Sequence, residues 1–146
     1  MIAINSRLLR GFGGKIPELL GISQFPFAVE ATFCVGPLQI HIDRDTLKTT
    51  GSDHQHRSLI SKPNGSSVPA DTFLDPKYAP ISAIWAVDVD EFMLLGKARP
   101  MVVVHNPHAK NPISRSFVPG QSEYIATEKD DYYQLDRLDG RTNFDS

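Results

Sequence analysis

The chain has 146 residues, a length typical of one domain, and its 15 basic and 17 acidic residues give a net charge of −2. This balance does not support a strong nucleic-acid binder, which would need a local basic patch instead. No stretch approaches the roughly 20 apolar residues of a membrane span, and the single cysteine excludes an internal disulfide. We therefore expect a soluble, cytoplasmic protein with no membrane association, whose partners the composition does not identify.

The first 24 residues are expected to form a short helical segment. The stretch NSRLLR predicts one short helix, and KIPELLGIS predicts a second, with Pro17 in its first turn and Gly21 at its end. The tail DGRTNFDS has the composition of a frayed terminus. We divide the chain into an N-terminal helical segment (1–24), a single α/β domain (25–138) and a flexible tail (139–146).

Residues 25–43 are predicted to form a β-hairpin. FPFAVEATFCV and LQIHID both alternate apolar and other residues, as strands with one buried face do. The Gly36-Pro37 pair between them indicates a tight turn. The apolar face would point into the core and carry Phe25, Phe27, Val29, Phe33, Ile40 and Ile42.

The other face of this hairpin is a candidate metal site. A turn at the Gly-Pro pair would place Glu30 opposite Asp43, with His41, two residues before Asp43 and on the same face, opposite Thr32. Two opposed carboxylates are unfavourable without a positive charge between or beside them. Mg²⁺ or Mn²⁺ would supply that charge, as would Zn²⁺ or the neighbouring Arg44. The alternative is an ordinary solvent-exposed face, where screened charges tolerate each other and no cofactor is needed.

The second half of the chain predicts two buried central strands and a terminal hairpin. ISAIWAVDV (81–89) and MVVVH (101–105) are nearly continuous in apolar character, which is typical of strands covered on both faces, and Trp85 is expected in the core. EYIATE and YYQLDRL flank a polar turn. We therefore predict an α/β (α+β) fold: a mixed, strand-rich sheet with an N-terminal β-hairpin, two buried central strands, a C-terminal hairpin and a few short helices.

Polar residues follow both central strands and form a second group of candidates. Asp88 and Asp90 end the first strand, while His105 and His108 follow the second. Parallel strands would bring all four to one edge of the sheet, the usual ligand edge of α/β folds. Antiparallel strands would separate the two sets, and the linker length does not decide between these arrangements. In the simpler alternative, His105 leaves a strand into a stiff loop and hydrogen-bonds the backbone there.

The order of these elements resembles the later part of a restriction-endonuclease-like domain, over residues 25–138. ISAIWAVDV, MVVVHNPHAKNPI and EYIATEKDDYYQL are similar to the ends of bacterial proteins of that fold. The resemblance implies a carboxylate on one hairpin strand and an acid-x-Lys motif on the next, which together bind Mg²⁺ and orient water. Glu30-Ala31-Thr32 stands at the acid-x-Lys position, with Thr32 in place of lysine, and Asp43 matches the second acid.

Three functional hypotheses follow, and whether the protein is an enzyme stays open. The first is a degenerate or truncated nuclease-like protein, since Thr32 replaces the lysine of the motif. The second is a metal-dependent nuclease or phosphodiesterase that uses Glu30 and Asp43 as catalytic residues, with His41 as a further metal ligand. The third is a non-enzymatic protein-interaction module whose long proline-rich loops make the contacts.

Overall fold

The structure is a computed structural model that describes residues 1–5, 23, 25–61, 64–87, 101–118 and 122–139. Within these ranges the chain forms nine strands and one α-helix, which confirms the predicted α+β fold with a mixed, strand-rich sheet. The elements are β1 (Ile2–Asn5), α1 (Phe27–Phe33), β2 (Val35–Ile42), β3 (Thr49–His56), β4 (Leu59–Ser61), β5 (Ser67–Pro69), a 3-10 turn (Pro76–Tyr78), β6 (Ala83–Val87), β7 (Met101–His105), β8 (Ser122–Glu128) and β9 (Tyr133–Asp139).

The main sheet has five strands in the order β1-β6-β7-β8-β9. β1 is parallel to β6 and β7 is parallel to β8, whereas the β6–β7 and β8–β9 pairs are antiparallel. β6 and β7 are inner strands, and β8 and β9 form the C-terminal hairpin, so both of these predictions are confirmed. β1 lies within the segment expected to be helical, while the two short helices predicted there and the tail from residue 140 lie outside the described residues.

The core lies between one face of this sheet and α1. Val102 and Val104 of β7 contact the helix residues Val29 and Phe33, and Phe73 completes the cluster with no exposed surface. Each of these side chains contributes about 1.5–3 kcal/mol by leaving water. Trp85 of β6 is only partly buried. No helix in the described part of the chain is both long and apolar enough to cross a membrane.

The predicted hairpin over residues 25–43 is wrong, because its first strand is the helix α1. The segment fits both periods: it alternates, and it also places Val29, Thr32 and Phe33 at helical spacing on one buried side. The segment folds as a helix because this side packs on the sheet. The buried Thr32 hydroxyl has its partner within the helix, since it donates to the Ala28 carbonyl at 2.8 Å. The helix ends at Cys34, whose φ of 56° is left-handed.

The Gly36-Pro37 pair is likewise not the turn. Both residues lie inside β2, which pairs antiparallel with β3 and has a register shift at this point. Gly36 is needed because a Cβ there would lie 2.6 Å from the Gln55 carbonyl oxygen. The actual turn follows Ile42, where the Asp43 and Leu47 amides close hydrogen bonds of 2.9 Å to Lys48 and Asp43. We call β2, β3 and this turn (residues 35–56) the ribbon.

Candidate functional site

The structure does not bring the predicted metal ligands Glu30, His41 and Asp43 together. Glu30 lies in α1, before the ribbon begins, and Asp43 lies at its tip, eight residues beyond Val35. Eight residues of extended strand span roughly 26 Å, so the predicted pairing of the two carboxylates on one rung is wrong. Over the described ranges, no group of three or more His, Cys, Asp or Glu residues could hold a metal ion.

Glu30 is fully buried and is bound by the protein itself. Its Oε1 accepts a hydrogen bond of 2.6 Å from the Ser23 backbone N–H. Its Oε2 lies 3.4 Å from Nη1 of Arg57, the residue that follows β3. A buried carboxylate needs such partners because burial without them is strongly unfavourable. Glu30 therefore ties α1 to the base of the ribbon.

Asp43 organises the turn at the tip. Its Oδ1 accepts hydrogen bonds from the Thr46 backbone N–H (2.7 Å), the Thr46 hydroxyl (2.9 Å) and the Asp45 backbone N–H (3.0 Å). The bonds from Thr46, and then that from Asp45, hold the pKa of Asp43 below its usual value. This pattern is that of a turn-forming aspartate, because the side chain replaces a backbone acceptor.

His41 pairs with a residue of the other ribbon strand. Its Nε2 lies 3.1 Å from Oδ1 of Asp53, and both side chains are exposed. Asp53 is opposite Gln39, so the contact runs diagonally between β2 and β3. An exposed pair of this kind contributes little to stability. Glu30, His41 and Asp43, the three predicted metal ligands, therefore each bond to a different set of residues.

For the second group of candidates, the structure gives the relative direction of the two strands. β6 and β7 are antiparallel, with Ala83 opposite His105 and Val87 opposite Met101. Val87, the last described residue of β6, therefore lies at the end of this strand pair opposite to His105. Asp88 and Asp90 themselves lie outside the described residues, so the structure reports only the strand direction that governs their placement.

His105 does not bond the loop backbone, as the simpler alternative expected, but a buried carboxylate on the neighbouring strand. Its Nε2 lies 2.9 Å from Oε2 of Glu123; the Glu123 side chain is buried and the His105 side chain is 12% exposed. The other oxygen of Glu123 accepts a hydrogen bond of 2.7 Å from the Ser116 N–H. His108 lies 3.0 Å from the Tyr133 hydroxyl. These contacts join β7, β8, β9 and the loop before β8, so they support the fold.

The loop after β7 is held by Asn106, which explains its stiffness. The Asn106 side-chain amide donates to the carbonyls of Tyr78 (3.1 Å) and Ile81 (2.8 Å), and its oxygen accepts from the His108 N–H at 2.9 Å. Asn106 is buried, and these bonds satisfy its polar atoms. The loop is therefore anchored to the segment that precedes β6.

The most unusual surface of the described chain is one face of the ribbon. Leu38, Ile40 and Ile42 alternate along β2 and so share a face, yet Ile40 and Ile42 are 61% and 58% exposed. Leu47 in the turn is 80% exposed. Single exposed aliphatic residues need no explanation, but a contiguous apolar strip marks a contact surface.

The cross-strand neighbours on this face are uncharged or weakly polar. His54 lies opposite Leu38 and Ser52 lies opposite Ile40. At the base of the ribbon the His54 ring is 5.0 Å from the Phe25 ring, and its Nδ1 donates to the Gly36 carbonyl at 3.0 Å. The base is thus fixed to the core, while the strip beyond it faces water.

The charged residues of the ribbon strands lie on the other face. His41 and Asp53 occupy positions between those of the apolar strip, and their contact lies on the opposite side. Gln39 and Gln55 also belong to that side. The ribbon therefore has one apolar and one polar face, although β2 is buried only at its first two residues and no residue of β3 is buried.

Sequence analysis missed this surface because it assigned the apolar residues of β2 to the core. The signal that could have found it lies in the partner strand, TTGSDHQH, which has no aliphatic residue. A strand that packs on a core normally pairs with another strand that also has an apolar face. The contrast between Leu38-Ile40-Ile42 and this wholly polar partner indicates a ribbon with an isolated apolar strip.

Comparison of the chain with protein-family models, with curated proteins and with solved structures gave no match. The resemblance to restriction-endonuclease-like domains is therefore untested and stays a prediction.

Proposed function

We propose that this protein is a non-enzymatic protein-interaction module, which contacts its partner through the apolar face of the ribbon. The observation that carries the proposal is the exposure of Ile40 and Ile42 on strand β2 of the antiparallel ribbon, whose pairing shifts register between His41 and Ile42. Burying an Ile or Leu side chain contributes about 1.5–3 kcal/mol. A partner that covers this strip gains that free energy, which folding of the isolated chain leaves unused.

Two further features support contact over catalysis. A metal-dependent nuclease or phosphodiesterase would need Glu30 and Asp43 in one metal shell, whereas Glu30 lies in α1, before the ribbon begins, and Asp43 lies at the ribbon tip. The Glu30 carboxylate is already bound by Ser23 and Arg57, so a metal would have to displace both. The interaction hypothesis drawn from the sequence placed the contacts in proline-rich loops, and we now place them on the ribbon.

We also propose a cytoplasmic location. Cys34 is a free, buried thiol, and free thiols are typical of reducing compartments.

Photo-crosslinking tests this proposed function. A photoreactive phenylalanine analogue replaces Ile40 on the apolar face, or Gln55 on the polar face as the matched control, in cells that produce the protein. We expect intermolecular crosslinks from position 40 and far fewer from position 55, with the crosslinked peptides identified by mass spectrometry. Equal yields from both positions, or none from position 40, would contradict the proposal.

A further inference from the structure

We infer that the partner of the ribbon is a second copy of this chain, whose apolar face packs against the same face in a two-fold symmetric dimer. This inference rests on the proposed function and names the partner. Such an interface is isologous: the contact of one residue with another occurs twice, with the two copies exchanged. The surface must therefore be complementary to itself, and three properties of the ribbon meet that condition.

The first property is the symmetric order of side chains about Ile40. Leu38 and Ile42 lie two residues before and after it on the same face, about 13 Å apart along the strand. A two-fold axis at Ile40 places the Ile40 side chains of both copies together and each Leu38 against the partner's Ile42. At the base of the ribbon, the ring of His54, which lies opposite Leu38, contacts the ring of Phe25.

The second property is that the strand positions on this face of the described ribbon have no acidic, lysine or arginine side chain. The cross-strand neighbours of Leu38, Ile40 and Ile42 are His54, Ser52 and Thr49. The Asp53 carboxylate and the His41 ring are on the other side, so they stay in water when two apolar faces meet. Like charges would oppose self-association strongly, and none is brought together at these strand positions. A highly charged partner would find no complementary group on this strip.

The third property is the incomplete stabilisation of a two-stranded ribbon. An isolated hairpin is marginally stable in water, and a layer of protein packed on its apolar face stabilises it. Two ribbons stacked face to face, about 10 Å apart, form a small sandwich in which each covers the other. Because the apolar strip is narrow, the interface buries little surface area. Interfaces of small buried area give weak, concentration-dependent association.

Sedimentation analysis over a concentration series tests this inference on the full chain. We expect the mass to rise from 16.2 kDa towards twice that value between about 1 and 500 µM, the range expected for a small interface. Ile40→Asp should remain a monomer throughout, since it places two carboxylates at the axis. Gln55→Glu adds the same charge to the opposite face and should dimerise as the native chain does. Because both positions are exposed, thermal melts should show that both variants fold.

A charge-swap experiment locates the axis. Ile40→Lys should also be a monomer, whereas an equimolar mixture of Ile40→Asp and Ile40→Lys should restore the dimer, because opposite charges meet at position 40. A native chain that stays monomeric, or a dimer that Ile40→Asp does not dissociate, would overturn the inference. If position 40 then crosslinks to a different protein in cells, the proposed function stands without self-association. If it crosslinks to nothing, both are refuted.

Discussion

Removing the Glu123 carboxylate should destabilise the fold strongly, because it is the acceptor of two hydrogen bonds inside the sheet. Its oxygens are bound by His105 at 2.9 Å and by the Ser116 N–H at 2.7 Å, and it is 3% exposed. Hydrogen bonds to a charged group contribute about 1.5–3 kcal/mol each, so the two together give roughly 3–6 kcal/mol. Relief of the desolvation cost of the buried carboxylate offsets part of this sum.

We therefore expect Glu123→Ala to lower the free energy of unfolding by about 3 kcal/mol. In a domain of this size that loss lowers the melting temperature by roughly 10 °C. Glu123→Gln keeps an oxygen for the Ser116 N–H and should cost about half as much, since only the bond to His105 loses its charged acceptor. Urea unfolding followed by circular dichroism measures both values.

The matched control is Glu128→Ala, at the exposed end of the same strand β8. A surface substitution of this kind should change stability by no more than about 0.5 kcal/mol. If Glu123→Ala is as mild as this control, the hydrogen bonds do not contribute as inferred. A double-mutant cycle with His105→Ala should give a coupling of about 1–3 kcal/mol, and a coupling near zero would refute the pairwise contact.

Three further outcomes are expected. Phe73→Ala should lower the free energy of unfolding in urea by about 3–5 kcal/mol, since Phe73 is fully buried against Phe33. A decrease below about 1 kcal/mol would contradict the position of Phe73 in the core. The pKa of Asp43 is lowered in the fold, so its stabilising effect is complete above the unfolded value of about 4 and is lost as the pH falls through the folded value. The protection factor of the Thr46 amide should therefore fall in acid in the native chain but not in Asp43→Asn, and an equal fall in both would exclude this role. Burial, followed by the charge of Asp71, raises the pKa of Cys34, so a thiol reagent at pH 8 should react at least about tenfold faster in urea than in the native state; equal rates would show that the thiol is exposed.

The second half of the fold was predictable because its signals agree with one another. The run Val102-Val103-Val104 is buried throughout, as a continuous apolar strand of an inner sheet position should be. The β8–β9 hairpin has two strands around a polar turn, closed by a bond from the Lys129 N–H to the Tyr132 carbonyl. Neither the hydrophobic periodicity of these segments nor the residues of the turn favoured another structure.

The first half was not predictable, since its local signals fit two structures. Residues 27–33 satisfy strand and helix periods together, and only the packing of Val29 and Phe33 on the sheet selects the helix. Gly36-Pro37 has turn composition, but Gly36 is required by the close approach of β3. The predicted metal site depended on that turn, so it failed with it. The direction of β6 relative to β7 is set by tertiary contacts that the linker length does not encode.

Footprinting of the ribbon with a reactive carbene probe tests the central claim most directly. The same probe is applied to dilute purified protein and to intact cells that produce it, and the labelling of Leu38, Ile40 and Ile42 is compared with that of Gln55. Our account predicts strong labelling of the apolar face in the dilute protein, as its exposure requires, and much weaker labelling in cells, with Gln55 labelled equally in both. Equal labelling of the apolar face under the two conditions would contradict the claim that a protein partner covers it.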